Sequence, residues 1–402
     1  MARTLRKTGF LRCGAVVSAV ILLATFQGQS FASKITSSLT TKNAQPAVAG
    51  RDYTNLYTVD PGSRANTTIA LLAIGEDGSG VIGKYPYIPP NLSQAQGQVG
   101  IQIGTKRTWF PMQSGAKPRG VFAAAAGGKA VVWGETKSTS FNLDWRMYAM
   151  TPGQKAAKLL GDSFDLIKTD DITMPPGVNW LTTDGKSAWW EMAYPSSKST
   201  HGWGARIMVR DLAARTPLKI AADHAMLPAS TARGLFYFRS KFVDPSMPAN
   251  RYEIRLLKAG VDTLITAGPM TKDELTFSMC ASNTILAWEV GVVAAARPNP
   301  KLGPNGHLHV MMLPSKVQRI VSLDNSGLGL SLGCGTDFVA WASGSGDGDT
   351  TQYVMNVPRA KIWSLGQATW VGYVHVTGNF LAWLLPSKGG SAPWRVAKWH
   401  AV

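Results

Sequence analysis

Short apolar runs, each closed by a large aromatic residue, recur along the chain: GKAVVWGET, DGKSAWWEM, SNTILAWEV, GTDFVAWAS and TGNFLAWLL. Their last aromatic residues are Trp133, Trp190, Trp288, Trp341 and Trp383, and Phe238 in GLFYFRS falls into the same series. Successive anchors are 57, 48, 50, 53 and 42 residues apart. A period of that length marks a propeller or a solenoid. The content of each unit decides between them. After each anchor comes a gap rich in Gly, Pro, Ser and Lys, such as YPSSKSTHGWG or RPNPKLGPNG. Then comes an alternating or apolar strand (ARIMVRDL, YEIRLLKA, HLHVMML) and a further short one (PLKIAA, DTLITA, VQRIVSL). Ahead of the anchor lies a strand of small residues: VFAAAAGG, LTFSMCA, GLGLSLGC, VGYVHVTG. No segment shows a long helical period. Four short strands per unit, separated by turn signals and repeated, predict an all-β fold, a β-propeller with four antiparallel strands per blade.

Six anchors mark clear repeats over residues 118–402. Residues 50–117 hold TTIALLAIG, GVIGKYPYI, VGIQIGT and TWFPM, enough for one more blade. Seven blades are therefore favoured, with six as the alternative. TNLYTVD is expected to pair with the last blade and close the ring, which removes exposed sheet edges. Residues 50–402 then form a single propeller domain. Residues 33–49, polar and aperiodic, read as a flexible lead-in.

The recurring tryptophan has a packing reason. The second strand of a blade is buried on both faces between neighbouring blades, so it reads as a continuous apolar run. A large flat side chain at its end fills the gap between radiating sheets, while crowding at the axis favours Ala, Gly and Ser on the innermost strands. These tryptophans are expected to be core, not ligand platforms.

TTDGKSAWWEM resembles the repeat of TolB-type (WD-like) propellers, where a Ser/Thr-Pro-Asp-Gly-Lys turn precedes an apolar strand. Asp184, Gly185 and Lys186 match that turn, and Thr183 stands in place of the proline. AGGKAVVWGE is a weaker match through Gly128 and Lys129. The resemblance covers roughly residues 118–402 and implies architecture only, since that superfamily spans scaffolds, binding modules and the propeller halves of peptidases.

The first residues form a separate class. MARTLRKTGFLR carries Arg3, Arg6, Lys7 and Arg12 without an acid, CGAVVSAVILLATF is apolar, and SFA places Ser30 and Ala32 at small-x-small spacing. This is the three-part pattern of a secretory signal peptide, read over residues 1–32. The run is shorter than the roughly 20 residues a membrane span needs. The expectation is an exported, secreted or periplasmic protein, a monomer without a membrane span after cleavage. Net charge is +17, of which the leader supplies four. The remaining cations are scattered without a block, a diffuse field suited to an anionic polymer or surface. Only Cys280 and Cys334 remain in the mature chain; both lie on small-residue inner strands of successive units, as a disulfide stapling two blades or as packed thiols.

Loops on a rigid scaffold usually carry binding. The gaps between second and third strands hold Lys137, Lys198, Arg239, Lys241, Arg251, Arg297, Lys301 and Lys388, with His201 and Trp203, against mainly Asp144, Asp244, Asp347 and Asp349. The ligand candidates are thus His201, Trp203, Arg239, Lys241, Arg251 and Arg297, joined by Trp180, Tyr373 and His375 on presumed inner strands. His307 and His309 share one face of a strand, but no third metal ligand is identifiable, so they read as packed or solvated. SGSGDGDTTQ partly resembles the sialidase Asp-box through Ser345, Asp347 and Thr351, with Asp349 and Gln352 where that motif has glycine and tryptophan. Glu135, Glu191 and Glu289 recur just after their anchors and read as rim ion pairs. Asn66 and Asn91 begin sequons that matter only in a eukaryotic secretory pathway.

There is no Gly-x-Ser-x-Gly, no His-Glu-x-x-His, no phosphate-binding Gly-Lys-Ser/Thr loop and no dinucleotide fingerprint. No catalytic residue, metal or cofactor is assigned. The expected function is an exported binding or scaffold protein whose basic loop face recognises an anionic polymer, a glycan or an envelope protein. The alternative is a secreted glycan hydrolase or lyase with an axial active site. No nucleic acid is expected as a partner.

Overall fold

Every apolar run with its aromatic anchor is the second strand of an antiparallel sheet in the computed structural model of the chain. The structure describes residues 35–62, 67–86, 97–112, 120–136, 145–162, 181–196, 203–271, 274–276, 278–292, 306–323, 331–344, 350–368, 373–387 and 392–400. Seven sheets, one per blade, make a β-propeller, so the six-blade alternative falls away. Blade 1 is Thr67–Ile74, Gly80–Pro86, Gln98–Ile103 and Lys106–Trp109. Blade 2 is Gly120–Gly127, Ala130–Thr136, Trp145–Met150 and Lys158–Asp162. Blade 3 is Leu181–Thr183, Ser187–Pro195, Trp203–Asp211 and Lys219–Asp223, and blade 4 is Met226–Thr231, Gly234–Ser240, Arg251–Lys258 and Val261–Pro269. Blade 5 has a broken inner strand, Glu274–Leu275 and Met279–Ala281, then Ile285–Val292, Gly306–Met312 and Val317–Leu323. Blade 6 is Ser331–Cys334, Phe338–Gly344, Thr350–Asn356 and Lys361–Ala368.

Blade 7 takes three strands from the C-terminus (Val374–Thr377, Phe380–Leu384, Trp394–Trp399) and its outer strand, Tyr53–Val59, from the other end of the chain. The closing strand expected at TNLYTVD is thus in place. The lead-in differs from expectation. Instead of a flexible tail, Ile35–Thr40 adds a parallel strand to the outer edge of blade 5, and Gln45–Pro46 adds a short one to blade 6. Arg319 Nη1 donates to Ser37 Oγ at 3.1 Å, and the Ala47 N–H donates to the Ser364 carbonyl at 2.8 Å. Two exposed edges are covered in this way.

Turns between first and second strands, and between third and fourth, share one end of the ring, here called the hairpin face. Loops between second and third strands and the links between blades share the other, the loop face. At the Asp184 turn the carboxylate accepts from the Lys186 and Ser187 N–H groups, both at 2.8 Å. Thr183, which replaces the proline of the resembled motif, donates to the Ser187 carbonyl and accepts from Gly185 N–H. Gly185 has φ +82°, and a Cβ there would sit 2.8 Å from the Gly127 carbonyl oxygen, so the close approach of two turns requires glycine.

The six anchors are all buried, at 1% exposure or less. Several meet an aromatic ring of the preceding blade: Trp133 faces Phe110 at 5.9 Å and Trp190 faces Trp145 at 6.4 Å. The Trp288 indole N–H donates to Tyr252 Oη at 3.1 Å. One apolar cluster fills each gap between blades. The gap between blades 3 and 4 has the smallest, with four buried residues (Ile207, Ala225, Leu235, Tyr237) against seven to fifteen in the others.

Candidate functional site

Seven inner strands of small and apolar residues leave an axial channel of about 180 Å³. Cys280 and Cys334 both line it and are bonded to one another, with Cα atoms 5.5 Å apart, so a disulfide ties the inner strands of blades 5 and 6. His375 is the one ionisable side chain among the lining residues. Its ring stacks on Trp394 with centroids 5.0 Å apart, and burial pushes its pKa down to about 4, partly offset by a backbone hydrogen bond with Leu71. The imidazole is therefore neutral near pH 7. Tyr373 stacks on the same indole at 6.4 Å. An acid–base pair for axial chemistry is not assembled by these lining residues.

The hairpin end of the axis is stitched from blade to blade. Thr182 Oγ1 and Ser230 Oγ are 2.7 Å apart, Ala232 N–H donates to Asn283 Oδ1, and Thr284 Oγ1 donates to the Thr336 carbonyl. Thr336 N–H then donates to the Gly378 carbonyl, and Thr377 Oγ1 to that of Ile74. Inside this ring a hollow of about 950 Å³ opens, and it extends into the gap between blades 3 and 4 past Trp189, Lys186, Arg233 and Lys258.

That gap, the least apolar of the seven, also concentrates unusual groups. Glu191 is 1% exposed; its Oε2 accepts from the Leu227 N–H at 3.0 Å and its Oε1 has no partner among the described residues. Burial pushes its carboxyl up to about 8, against the opposing effect of the Leu227 N–H, so it is largely protonated at neutral pH. It forms no ion pair among the described residues, contrary to the rim pairing expected for it. His224 (φ +53°), in the link between blades, and Leu227 (φ +56°), at the register shift in the first strand of blade 4, both hold the left-handed conformation. Such non-glycine strain concentrates at functional sites.

Above Glu191, on the loop face, Arg206 lies 3.8 Å over the centroid of the Tyr194 ring and pairs with Asp223 at 3.4 Å. His224 Nδ1 is 3.2 Å from both Tyr194 Oη and the Val243 carbonyl. The segment 240–250 folds back beside this platform around Asp244. Asp244 accepts from Ser246 N–H and Oγ and pairs with Arg239. Burial disfavours the charge on Asp244, but Ser246 and Arg239 outweigh it and hold the carboxyl below its ordinary value. A cation on an aromatic face, beside a histidine and a fixed loop, suits a ligand with ring surfaces and anionic groups.

Of the residues singled out from the sequence, Arg239 and Lys241 stand here but hold the loop itself, Lys241 donating to the Pro245 carbonyl. Arg251 pairs with Glu253 at 3.3 Å and remains half exposed. Trp203 opens the strand Trp203–Asp211 opposite Pro195. Trp180, His201 and Arg297 lie outside the described residues, as do Lys137, Lys198, Lys301, Lys388, Asp144, Asp347 and Asp349. Tyr373 and His375 are brought together, on Trp394, far from that platform in the ring order. His309 is packed, its ring stacked on Trp288 at 5.1 Å and bonded by Gln318 Nε2 at 2.7 Å. No group of three metal-ligating side chains occurs among the described residues. Sequence reasoning missed Tyr194, Arg206 and His224; the alternation of WGARIMVRD places Arg206 on one strand face but says nothing of its neighbour across the blade.

Seven blades of four strands and a closing N-terminal strand settle the type of ring. It is a seven-bladed β-propeller. No protein-family profile matches the chain, and no curated protein does. Among solved structures it is similar to an oligogalacturonate lyase in complex with manganese, at 8% identity over 89% of this chain and 99% of that one, TM-score 0.52. It is similar to a puromycin-hydrolysing peptidase of Mycobacterium tuberculosis, at 12% identity over 85% of this chain, TM-score 0.49, and spans only 53% of that protein's length. TolB from Acinetobacter baumannii matches at 13% identity over 83% of this chain and 67% of that one, TM-score 0.42. At such identities the likeness is one of fold.

Proposed function

We propose that the protein is an exported, monomeric binding propeller that recognises an anionic or glycan ligand at the loop-face end of the gap between blades 3 and 4. The observation that carries this reading is the Arg206–Tyr194 stack beside His224, seated over the gap with the thinnest apolar packing. An aromatic face with a charged rim offers sugar rings a platform and acidic groups a partner. The fixed loop around Asp244 lowers the ordering cost of binding. The small-residue axis, tied by a disulfide, favours a scaffold role over axial catalysis. Export is supported by the leader pattern, and no helix among the described residues is long and apolar enough to cross a membrane.

The test is retention of the full chain on an array of neutral and acidic oligosaccharides, with Arg206→Ala beside the unaltered protein. Binding to acidic members, weakened at least tenfold by the substitution of a charge-assisted contact, is the expected result. Retention of nothing on the array, or equal retention of both proteins, sinks the reading. Release of shortened sugars during incubation would move it to the lyase or hydrolase class.

A further inference from the structure

The hairpin face carries a pattern that recognition on the loop face does not use. In four consecutive blades, a lysine and an exposed aliphatic side chain flank the turn between third and fourth strands. Blade 1 has Ile103, 61% exposed, register partner of Lys106 across the turn. Blade 2 has Lys158 followed by Leu159, and blade 3 has Lys219 followed by Ile220, both aliphatics over two-fifths exposed. Blade 4 has Lys258 paired across its turn with Val261, 64% exposed. Lys155 and Arg215 add exposed cations in the turns of blades 2 and 3.

Two acids beside these turns are already engaged. Asp211 accepts from the Thr216 hydroxyl and N–H, and Asp262 pairs with Arg255 Nε at 2.9 Å. Lys106, Lys219 and Lys258 form no ion pair among the described residues. Blades 5 and 6 lack the pattern, and theirs are the edges that the N-terminal strands cover. The chain also enters the ring on this side. Ile35 pairs with Gln318, just after the Leu313–Lys316 turn of blade 5.

Scattered single apolar residues on a surface mean little. An arc of them, each beside a lysine and all at one end of the ring, has the chemistry of a membrane-surface contact. Aliphatic groups enter the headgroup region and ammonium groups meet lipid phosphate. A linear polyanion would gain from the lysines but not from the exposed Ile, Leu and Val. We propose that the hairpin face, along the arc of blades 1 to 4, docks on an anionic lipid bilayer, leaving the loop face turned away from it.

The test is co-sedimentation of the full chain with vesicles of phosphatidylcholine containing one third phosphatidylglycerol, and with pure phosphatidylcholine, at low and high salt. The expected result is binding to the anionic vesicles only, reduced by salt. Lys219→Ala with Lys258→Ala should weaken it about thirtyfold, from the loss of two lysines at a charged surface. Ile103→Ser with Val261→Ser should weaken it too, while Lys42→Ala, on the N-terminal strand segment, leaves it unchanged. These positions are exposed, and unaltered melting temperatures will confirm folding. Absence of vesicle binding, equal binding to neutral vesicles, or binding indifferent to both double variants would overturn the proposal. So would binding that the lysine pair weakens and the aliphatic pair does not, with equal capture by a soluble polyanion; the face would then be a polymer site.

Discussion

The ring of Tyr53, near the start of the propeller, stands edge-on against Trp383 of the last blade, with centroids 5.1 Å apart and planes at 87°. It stacks in addition on Trp399 at 6.4 Å, and its hydroxyl accepts from Arg395 Nη1 at 3.2 Å. Ring closure thus rests on an aromatic contact as well as on a strand ladder. Tyr53→Ala should destabilise the protein by about 3–5 kcal/mol, as large-to-small core changes do. Tyr53→Phe should cost only about 1 kcal/mol, the worth of one hydrogen bond. Urea denaturation of both variants checks this, and equal losses would show that the hydroxyl, not the ring, holds the closure.

The Cys280–Cys334 bond closes a loop with a sequence separation of 54 residues. Replacing both cysteines by serine should lower stability by about 2–4 kcal/mol, mainly by freeing the unfolded chain. The melting temperature of the native protein should fall to that of the double variant when reductant is added, and that of the double variant should not respond.

Three buried groups set a pH dependence. Burial, reinforced by the neighbouring His307, pushes His309 down to about 4, and burial pushes His375 down to about 4 as well. Both bind fewer protons folded than unfolded, so stability falls as pH drops from the ordinary histidine value, 6.5, towards 4. Glu191 is shifted from 4.5 up to about 8, binds its proton more tightly when folded, and loses stability as pH rises through that window. Two histidines against one carboxyl place the best stability from these groups near pH 6.5. Glu191→Gln should flatten the alkaline side of the curve and steepen the acid side above pH 4.5, where the carboxyl opposes the two histidines. A melting curve series from pH 4 to pH 9 decides it, and an unchanged alkaline limb would show that Glu191 ionises without cost.

Asp244 organises the segment 240–250 through Ser246 and Arg239. Asp244→Ala leaves a half-buried guanidinium without its partner and should cost about 3–5 kcal/mol, whereas Arg239→Met keeps the packing and costs less. Limited proteolysis should cut Asp244→Ala first within 240–250. Cleavage elsewhere first would mean that the loop is held by other contacts.

The propeller was legible because its second strands are buried on both faces, which writes a continuous apolar run ending in Trp133, Trp190 or Trp341 into the sequence. The closing strand was legible through TNLYTVD for the same reason of edge pairing. The strands Ile35–Thr40 and Gln45–Pro46 were not. A strand laid on the outside of a finished sheet buries little, so SKITSSLTTKN needs no alternation. Glu191 was seen as part of a repeat but placed at the rim, because its burial comes from blade 4, whose entry bends at His224 in the link and at Leu227 within the first strand. Neither is glycine, and nothing local announces a left-handed turn there. The Tyr194–Arg206 platform depends on tertiary packing in the same way.

The pairing of Tyr53–Val59 with Trp394–Trp399 has a consequence for how the molecule is made. Thr54 Oγ1 reaches His400 Nε2 at 2.7 Å across 346 residues of sequence. Contacts of that span form late and slow folding, because the whole intervening chain must be ordered or looped out first. The strand Tyr53–Val59 is synthesised long before the strand it pairs with, Trp394–Trp399. Until the C-terminal strand arrives, blade 7 lacks its outer strand and the gap between blades 7 and 1 stays open. The join between Tyr53–Val59 and Trp394–Trp399 therefore acts as a completion signal, withholding the final cooperative stability from any chain in which the later strand is not yet in place.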